Sequence, residues 1–261
     1  MNKSGKIVKS HASILFSGGT DSALAAVEML KQCRKVTLLT LNPGFVLFID
    51  NSRVHAEALQ RKYGPDRVEH RLLDNSKATN KILFGNLKHD LRKYRFDMTA
   101  LVCLGCRLSM HTRAIIHNLE EGIPIIADGS IRKQSAIPEQ MDSVIRRNRN
   151  WYFQEYGITQ VSPIYEENNS DLKLFEAGIS KKRNLKRQFI LFDTQATCPF
   201  GVSADVYARM FYRPLMGKDT EEEAGEYCRE KYPEMKRYIE EYFTKKGLSL
   251  EKLIANLRKK E

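Results

Sequence analysis

The sequence predicts an α/β protein: a mostly parallel five-stranded sheet flanked by helices, followed by a helical C-terminal extension. Three observations carry that expectation. Short apolar runs alternate with helical patterns through about the first 165 residues. A glycine-rich turn, Ser17-Gly18-Gly19-Thr20-Asp21-Ser22, lies where the first apolar run gives way to the first helical pattern. Beyond that half the strand signal stops and amphipathic helical runs take over.

Taken in order, Ser13 to Phe16 reads as a buried strand and Asp21 to Gln32 as a helix. Val36 to Leu41 is the next strand, Ser52 to Tyr63 the next helix, and Val68 to Leu73 a third strand. Cys106 to Glu120 reads as a helix stopped by Gly122, and Ile123 to Ala127 as the strand after it. Gln160 to Pro163 completes the sheet. Asn168-Asn169-Ser170-Asp171 caps a helix that starts near Leu172. The tail then carries helical runs at Glu221 to Lys231, Pro233 to Thr244 and Leu250 to Lys259. The expected division is a nucleotide-binding α/β domain over 1–165 and a mainly helical region over 166–261 that contributes Cys198.

Composition narrows the class. With 42% hydrophobic and 29% charged residues, the chain of 261 residues is globular rather than disordered. No apolar run is long enough to span a bilayer, and the basic start MNKSGKIVKSHA lacks a following apolar segment, so a cytoplasmic protein without membrane contact is expected. The 43 Lys and Arg against 32 Asp and Glu leave a formal charge of +11. Basic clusters stand at Arg146-Arg147-Asn148-Arg149, at Lys181-Lys182-Arg183 through Lys186-Arg187, and at Arg258-Lys259-Lys260. Each alone reads as a solvated face; together they suit a polyanionic partner such as RNA.

The glycine turn is the first piece of chemistry. Backbone N–H groups at a helix N-terminus favour an anion, glycines let the backbone approach it, and Ser17, Thr20 and Ser22 can add hydroxyl donors. Asp21 is a candidate helix cap, or a holder of the Mg²⁺ that accompanies phosphates. The turn is not a kinase-type loop, because no G-x-x-x-x-G-K-[ST] is present; Gly217-Lys218-Asp219 lacks both the first glycine and the final hydroxyl residue. Nor does G-x-G-x-x-G follow the first strand.

The string "SGGTDS" after the first strand resembles the pyrophosphate-binding loop of the PP-loop ATP pyrophosphatases, whose fold is of the adenine nucleotide alpha hydrolase (HUP) kind. The resemblance implies that ATP, with Mg²⁺, binds at Ser17, Gly18, Gly19, Thr20, Asp21 and Ser22. Pyrophosphate leaves while AMP passes to a substrate oxygen, which nitrogen or sulfur then displaces. It also implies that Leu41 and Asn42 read adenine, that Asp128 and Gly129 contact ATP, and that Lys133 neutralises phosphates; Asp21, Asp128 and Lys133 are the implied catalytic residues. The tRNA-modifying members usually carry a G-H-x-x-D-D-like string where this chain has Ala127-Asp128-Gly129-Ser130. That stretch is closer to the D-G-T-N type of small-molecule sulfur transferases and amide-forming relatives.

The five cysteines in such a compartment do not suggest disulfides. Cys103-Leu104-Gly105-Cys106 is read as opening a helix, so that both sulfurs can converge on a metal with helix N–H groups stabilising thiolate charge. Cys198-Pro199 adds a Cys-Pro step of the kind common at iron–sulfur ligands. Cys33 and Cys228 are read as ordinary packing or surface cysteines. A structural zinc site with His111 as fourth ligand is the competing reading, although His111 alone suits a surface or capping position.

Two close cysteines and one far downstream resemble the iron–sulfur-dependent tRNA thiolases of the same superfamily, the 2-thiocytidine and 2-thiouridine synthetases. The resemblance implies Cys103, Cys106 and Cys198 as ligands of a [4Fe-4S] cluster, with Zn²⁺ as the alternative, and tRNA and a sulfur donor (sulfide or a carrier protein) as partners; it allows a homodimer. It spans about residues 11–212, and the stretch "TCPFGVSADVYARMFY" lacks the second cysteine that those thiolases carry there. Three functions therefore compete: an adenylating sulfur transferase acting on a tRNA base, the same activation applied to a small molecule, and an RNA-binding protein with a structural zinc.

Overall fold

A computed structural model describes residues 9–94, 98–135, 137–180, 194–200 and 218–259. Its centre is a five-stranded sheet in the order β3-β2-β1-β4-β5, every neighbouring pair parallel. The strands are β1 (Lys9–Leu15), β2 (Cys33–Asn42), β3 (Val68–Asp74), β4 (Ile125–Ala127) and β5 (Thr159–Val161). β5 thus ends two residues before the expected Pro163.

Both faces of the sheet are covered, which is why its central strands read as continuous apolar runs rather than alternating ones. Ala12, Ile14, Val36 and Leu38 face one core with α1 (Thr20–Leu30), α2 (Arg53–Tyr63) and α7 (Ser170–Glu176). Leu15, Leu39 and Leu41 face a second core with α5 (Met98–Glu121) and α6 (Asp142–Tyr156). Between β3 and α5, where no element was expected, the chain forms α3 (Ser76–Thr79), a π-helical turn at Asn80–Phe84, and α4 (Leu87–Lys93).

The tail differs from expectation at Pro233. The sequence predicts two helices there, but α8 (Lys218–Lys245) runs through the proline as one, followed by α9 (Leu250–Arg258). An interior proline removes one helical hydrogen bond and costs about 3 kcal/mol. Packing offsets that cost, because Tyr227, Cys228, Met235, Ile239 and Phe243 on α8 are all fully buried in the core that α5 and α6 share. Tyr232, beside the proline, stacks on Trp151 at 4.5 Å and donates to Asn148 Oδ1 at 2.9 Å. Cys33 is likewise fully buried, at the start of β2.

Of the ion pairs that join the tail to α4, one is buried. Lys231 Nζ meets Asp90 Oδ2 at 2.7 Å, the two side chains only 3% and 5% exposed. Breaking such a pair leaves a buried charge unpaired, at roughly 3–5 kcal/mol. Lys231→Met is therefore expected to lower unfolding stability by about that amount, whereas Lys231→Met combined with Asp90→Leu recovers most of it; urea denaturation of the three proteins checks this. Equal losses in the single and double variants would rule the pair out as the cause.

Candidate nucleotide and thiol site

The sheet order changes direction between β1 and β4: β2 lies on one side of β1 and β4 on the other. In open α/β sheets, that switch point leaves a crevice at the carboxyl ends of the strands. The Ser17–Ser22 turn occupies it. Phe16 N–H still bonds Leu39 O at 2.9 Å, after which the chain turns sharply. Gly18 has φ +85°, and a Cβ there would lie 2.3 Å from Thr194 O and 2.5 Å from Ser52 Cα. Only glycine fits. From α2, buried His55 donates through Nδ1 to Gly18 O at 2.6 Å and anchors the turn from behind.

The hydroxyls of Ser17 and Ser22 serve the turn itself. Ser17 Oγ accepts Gly19 N–H at 3.2 Å, and Ser22 Oγ–H donates to Gly19 O at 3.0 Å. The donors left for an anion are the first-turn N–H groups of α1, which have no acceptor within the helix. Asp21 does not cap α1, contrary to one expectation: the N-cap is Gly19, with no side-chain cap bond, and Asp21 lies one residue inside the helix start at Thr20. Burial raises its carboxyl above the usual range, against hydrogen bonds from Ser170 and Gln134 and with a further push from Asp171.

The turn after β4 forms the opposite wall. A Cβ on Gly129 would stand 2.7 Å from Ser22 N and 2.9 Å from the Asp21 carbonyl carbon, so backbone packs directly on backbone. Asp128 is fully buried, and both of its oxygens are engaged within the protein. Oδ1 accepts from Ser130 N–H at 3.0 Å and Ser162 Oγ at 2.9 Å; Oδ2 accepts from Arg107 Nη2 at 3.0 Å and Gln160 Nε2 at 2.7 Å. Those four donors fill a carboxylate's capacity. Burial opposes the charge, but Arg107, with His111, the Ser130 N–H and the Gln160 amide, holds the carboxyl below its usual range. Arg107, Gln160 and Ser162 were not singled out in the sequence, where they look like ordinary helix and strand-end residues.

The other expected contacts spread along the rim. Leu41, 7% exposed, belongs to the core at the end of β2, and the neighbouring Asn42 Oδ1 accepts Gly44 N–H at 2.9 Å. Lys133 is exposed and donates to Asn168 O at 3.2 Å. Of the basic clusters, Arg146 pairs with Asp142 at 2.6 Å and Arg258 donates to Gln154 O at 2.9 Å. The cluster at 181–187, the end of the cysteine-containing stretch from 201, and Lys260 lie outside the described residues.

The cysteines are placed differently from the sequence reading. α5 already runs from Met98, so Cys103 and Cys106 lie inside it, one turn apart, and no free helix N–H groups face their sulfurs. Gly105 between them admits Leu83 and Tyr227, which would lie 2.7 Å and 2.8 Å from a Cβ there. Cys103, Cys106 and Cys198 are all partly exposed. Burial first, then the nearby Cys198 and Glu139, push the Cys106 thiol up to about 12, with Arg107 opposing. Cys198 thus comes near Cys106, as does Glu139, a buried carboxyl raised to about 7 whose Oε2 has no hydrogen-bond partner among the described residues. Among the described residues no three His, Cys, Asp or Glu side chains meet in metal-binding geometry. The chemistry of the donor set, three thiols, suits a soft metal or an iron–sulfur cluster. His111 is neither a surface nor a capping residue: it is fully buried and accepts Arg107 Nε–H at 3.0 Å.

One short segment joins the two halves of the site. Thr194 O crowds Gly18, Gln195 Oε1 would lie 2.5 Å from a Cβ on Gly19, and Ala196 N–H donates to Ser17 O at 3.3 Å. Thr197 pairs with Leu47 through two backbone bonds of 2.8 Å. Cys198 comes next.

No protein-family model and no curated protein sequence matches this chain. Among solved structures, it is similar to a predicted subunit of tRNA methyltransferase from Methanocaldococcus jannaschii, 20% identical over 65% of this chain and 76% of that one, with a TM-score of 0.42. It is also similar to a 4-thiouridine synthetase in complex with RNA and bound ATP, 17% identical over 82% of this chain and 53% of that one, with a TM-score of 0.47. The chain spans about half the length of that synthetase. Likenesses this distant carry no argument about function. Among the described residues no helix is long and apolar enough to cross a membrane.

Two outcomes follow from the geometry. Gly18→Ala forces a side chain into the Thr194 carbonyl and is expected to weaken ATP binding at least tenfold while far-UV circular dichroism stays unchanged; equilibrium dialysis measures it. Four histidines are held neutral, chiefly by burial: His11, His70 and His117 are lowered to about 4 and His111 to about 3. Because the folded values lie below the unfolded 6.5, this stability is complete above pH 6.5 and is lost as pH falls toward the folded values. The urea midpoint should decline below pH 6.5, and His111→Gln should make that decline shallower. A midpoint that is flat from pH 7 to 4.5 would contradict the assignment.

Proposed function

We propose that this protein is a PP-loop enzyme of the ATP pyrophosphatase type that adenylates a carbonyl oxygen, that of a tRNA base, and replaces it with sulfur. The observation that carries the reading is the Ser17–Ser22 turn at the sheet's switch point, with Gly18 anchored by His55 and the Gly129 backbone packed against its far end. Such a turn offers fixed backbone donors to a leaving pyrophosphate, whose charge grows as the P–O bond breaks. A carbonyl oxygen leaves poorly, whereas its AMP ester leaves well. The substrate oxygen attacks the α-phosphate and pyrophosphate departs. Hydrosulfide then adds to the carbon, and AMP leaves with the oxygen. No net oxidation is needed.

Asp21, a partly buried carboxylate in the first turn of α1, is assigned to the Mg²⁺ that accompanies the phosphates. Lys133 on the rim is assigned to phosphate neutralisation, and Leu41 with Asn42 to the adenine end. Asp128, saturated by four donors, acts as a positioning residue that holds Gly129 against the turn. Cys103, Cys106 and Cys198 are assigned as ligands of a [4Fe-4S] cluster, which when bound supplies an iron without a protein ligand that can carry sulfide. The soft donor set of three thiols, the nearness of Cys198 to Cys106 and the short connection from the Ser17–Ser22 turn to Cys198 support that assignment.

Protein prepared without oxygen is expected to contain iron and acid-labile sulfide, to release AMP and pyrophosphate from ATP, and to do so faster with bulk tRNA. Cys198→Ser should lose most of its iron while keeping ATP affinity within about twofold. Release of ADP and inorganic phosphate instead of AMP and pyrophosphate would falsify the adenylation reading. A colourless preparation holding one zinc per chain would remove the cluster and leave the adenylation intact.

A further inference from the structure

We infer that the aromatic surface formed by Phe45, Phe84, Phe200 and Phe48 is a stacking platform for an unpaired base of RNA, with Lys77, Lys81 and Lys88 contacting the flanking phosphates. The inference rests on the adenylating reading above and deepens it by locating the substrate base. Phe45 is the centre of the platform: its ring meets Phe84 edge-on at 6.1 Å and Phe200 edge-on at 5.5 Å. Phe84 is 38% exposed, and Phe48 and Leu47, three and two residues along the chain from Phe45, are 41% and 52% exposed. A core would have buried them.

Its position relates it to the site already described. Leu47 pairs with Thr197, immediately before Cys198, and Phe200 follows two residues later. Leu83, next to Phe84, packs on Gly105 between Cys103 and Cys106. The aromatic residues and the three cysteines therefore lie on neighbouring segments. Two departures from regular backbone also coincide here. Phe48, with φ 54°, is the one non-glycine residue at positive φ among those described, and Phe84 ends the π-helical turn. Both kinds of irregularity concentrate at functional sites.

Charge chooses the occupant. From Asn75 to Tyr94 the chain carries Lys77, Lys81, Lys88, Arg92 and Lys93 against a single acid, Asp90; Asp90 is buried on Lys231, and Lys93 is paired with Glu226 and Glu230 of α8, which leaves Lys77, Lys81, Lys88 and Arg92. Lys81 lies three residues before Phe84 and Lys88 four after it; both are exposed and neither makes an ion pair among the described residues. An exposed aromatic flanked by lysines, in a chain of net charge +11, matches a ligand with a flat apolar face and an anionic backbone. Base stacking on aromatic rings with phosphates on lysines is the general chemistry of single-stranded nucleic-acid recognition.

Fluorescently labelled bulk tRNA, titrated anaerobically at several salt concentrations, provides the test, with ATP binding measured on every variant. Phe84→Ala is expected to weaken tRNA binding by about 5- to 100-fold with ATP affinity and the salt slope unchanged. Phe84→Trp keeps the stacking surface and should restore binding, which a merely structural role would not require. Lys81→Ala with Lys88→Ala should lower the salt slope by about one per lysine removed. Unchanged tRNA affinity in Phe84→Ala overturns the platform. Wild-type protein that binds ATP but no tRNA overturns the RNA occupant alone, and a dimer that Phe84→Ala dissociates reassigns the surface to a second copy of the chain. Wild-type protein that binds no ATP fails the adenylating reading itself, separately from the platform.

Discussion

The ion pair between Asp128 and Arg107 is the constraint on which the site is built. A fully buried carboxylate is tolerated only if it is paired and hydrogen-bonded. Here the donors come from three directions: Arg107 on α5, Gln160 and Ser162 at the end of β5, and Ser130 in its own turn. Satisfying one side chain therefore brings α5 and the ends of β4 and β5 to a common point. Gly129, next in the chain, is carried against the first turn of α1, and Cys106, next to Arg107, is carried to the same end of the sheet.

The segment from Thr194 to Cys198 couples the two halves in a different way. It meets Ser17 and Gly18 through the backbone of Ala196 and Thr194 and Gly19 through the Gln195 side chain, and its pairing with Leu47 is a backbone bridge. These contacts mean that Cys198 is not independent of the glycine turn, since the two residues just before it, Ala196 and Thr197, are bonded to that turn and to the connection after β2.

Much of this architecture was readable from the chain. The five strands and the helix after the glycine turn announce themselves by period and length, because buried parallel strands and amphipathic helices differ strongly in both. The π-helical turn and α4 were not readable, since "NKILFGNLKHDLRKY" mixes apolar and basic residues without a clean period. Pro233 misled for a physical reason: its local penalty is real but smaller than the burial of the tyrosines and aliphatic residues around it. At the site, the glycines were legible because their requirement is local. Arg107, His55 and Gln160 were not, because each acts through a partner more than 20 residues away, and nothing in the neighbouring sequence records that distance.

The burial of Asp90 on Lys231 has a consequence for how the chain reaches this structure. α4 and the π-helical turn lie ahead of α5 in the chain, yet their buried carboxylate acquires its countercharge from a residue 141 positions later. Tyr227 fills the space above Gly105 from the same late helix. During synthesis the first core, around α1 and α2, can close early, whereas the cysteine-bearing side remains an exposed apolar surface until α8 has emerged. The sheet's non-local parallel pairings already favour slow folding. Chaperone dependence should therefore concern that late-closing face of the protein.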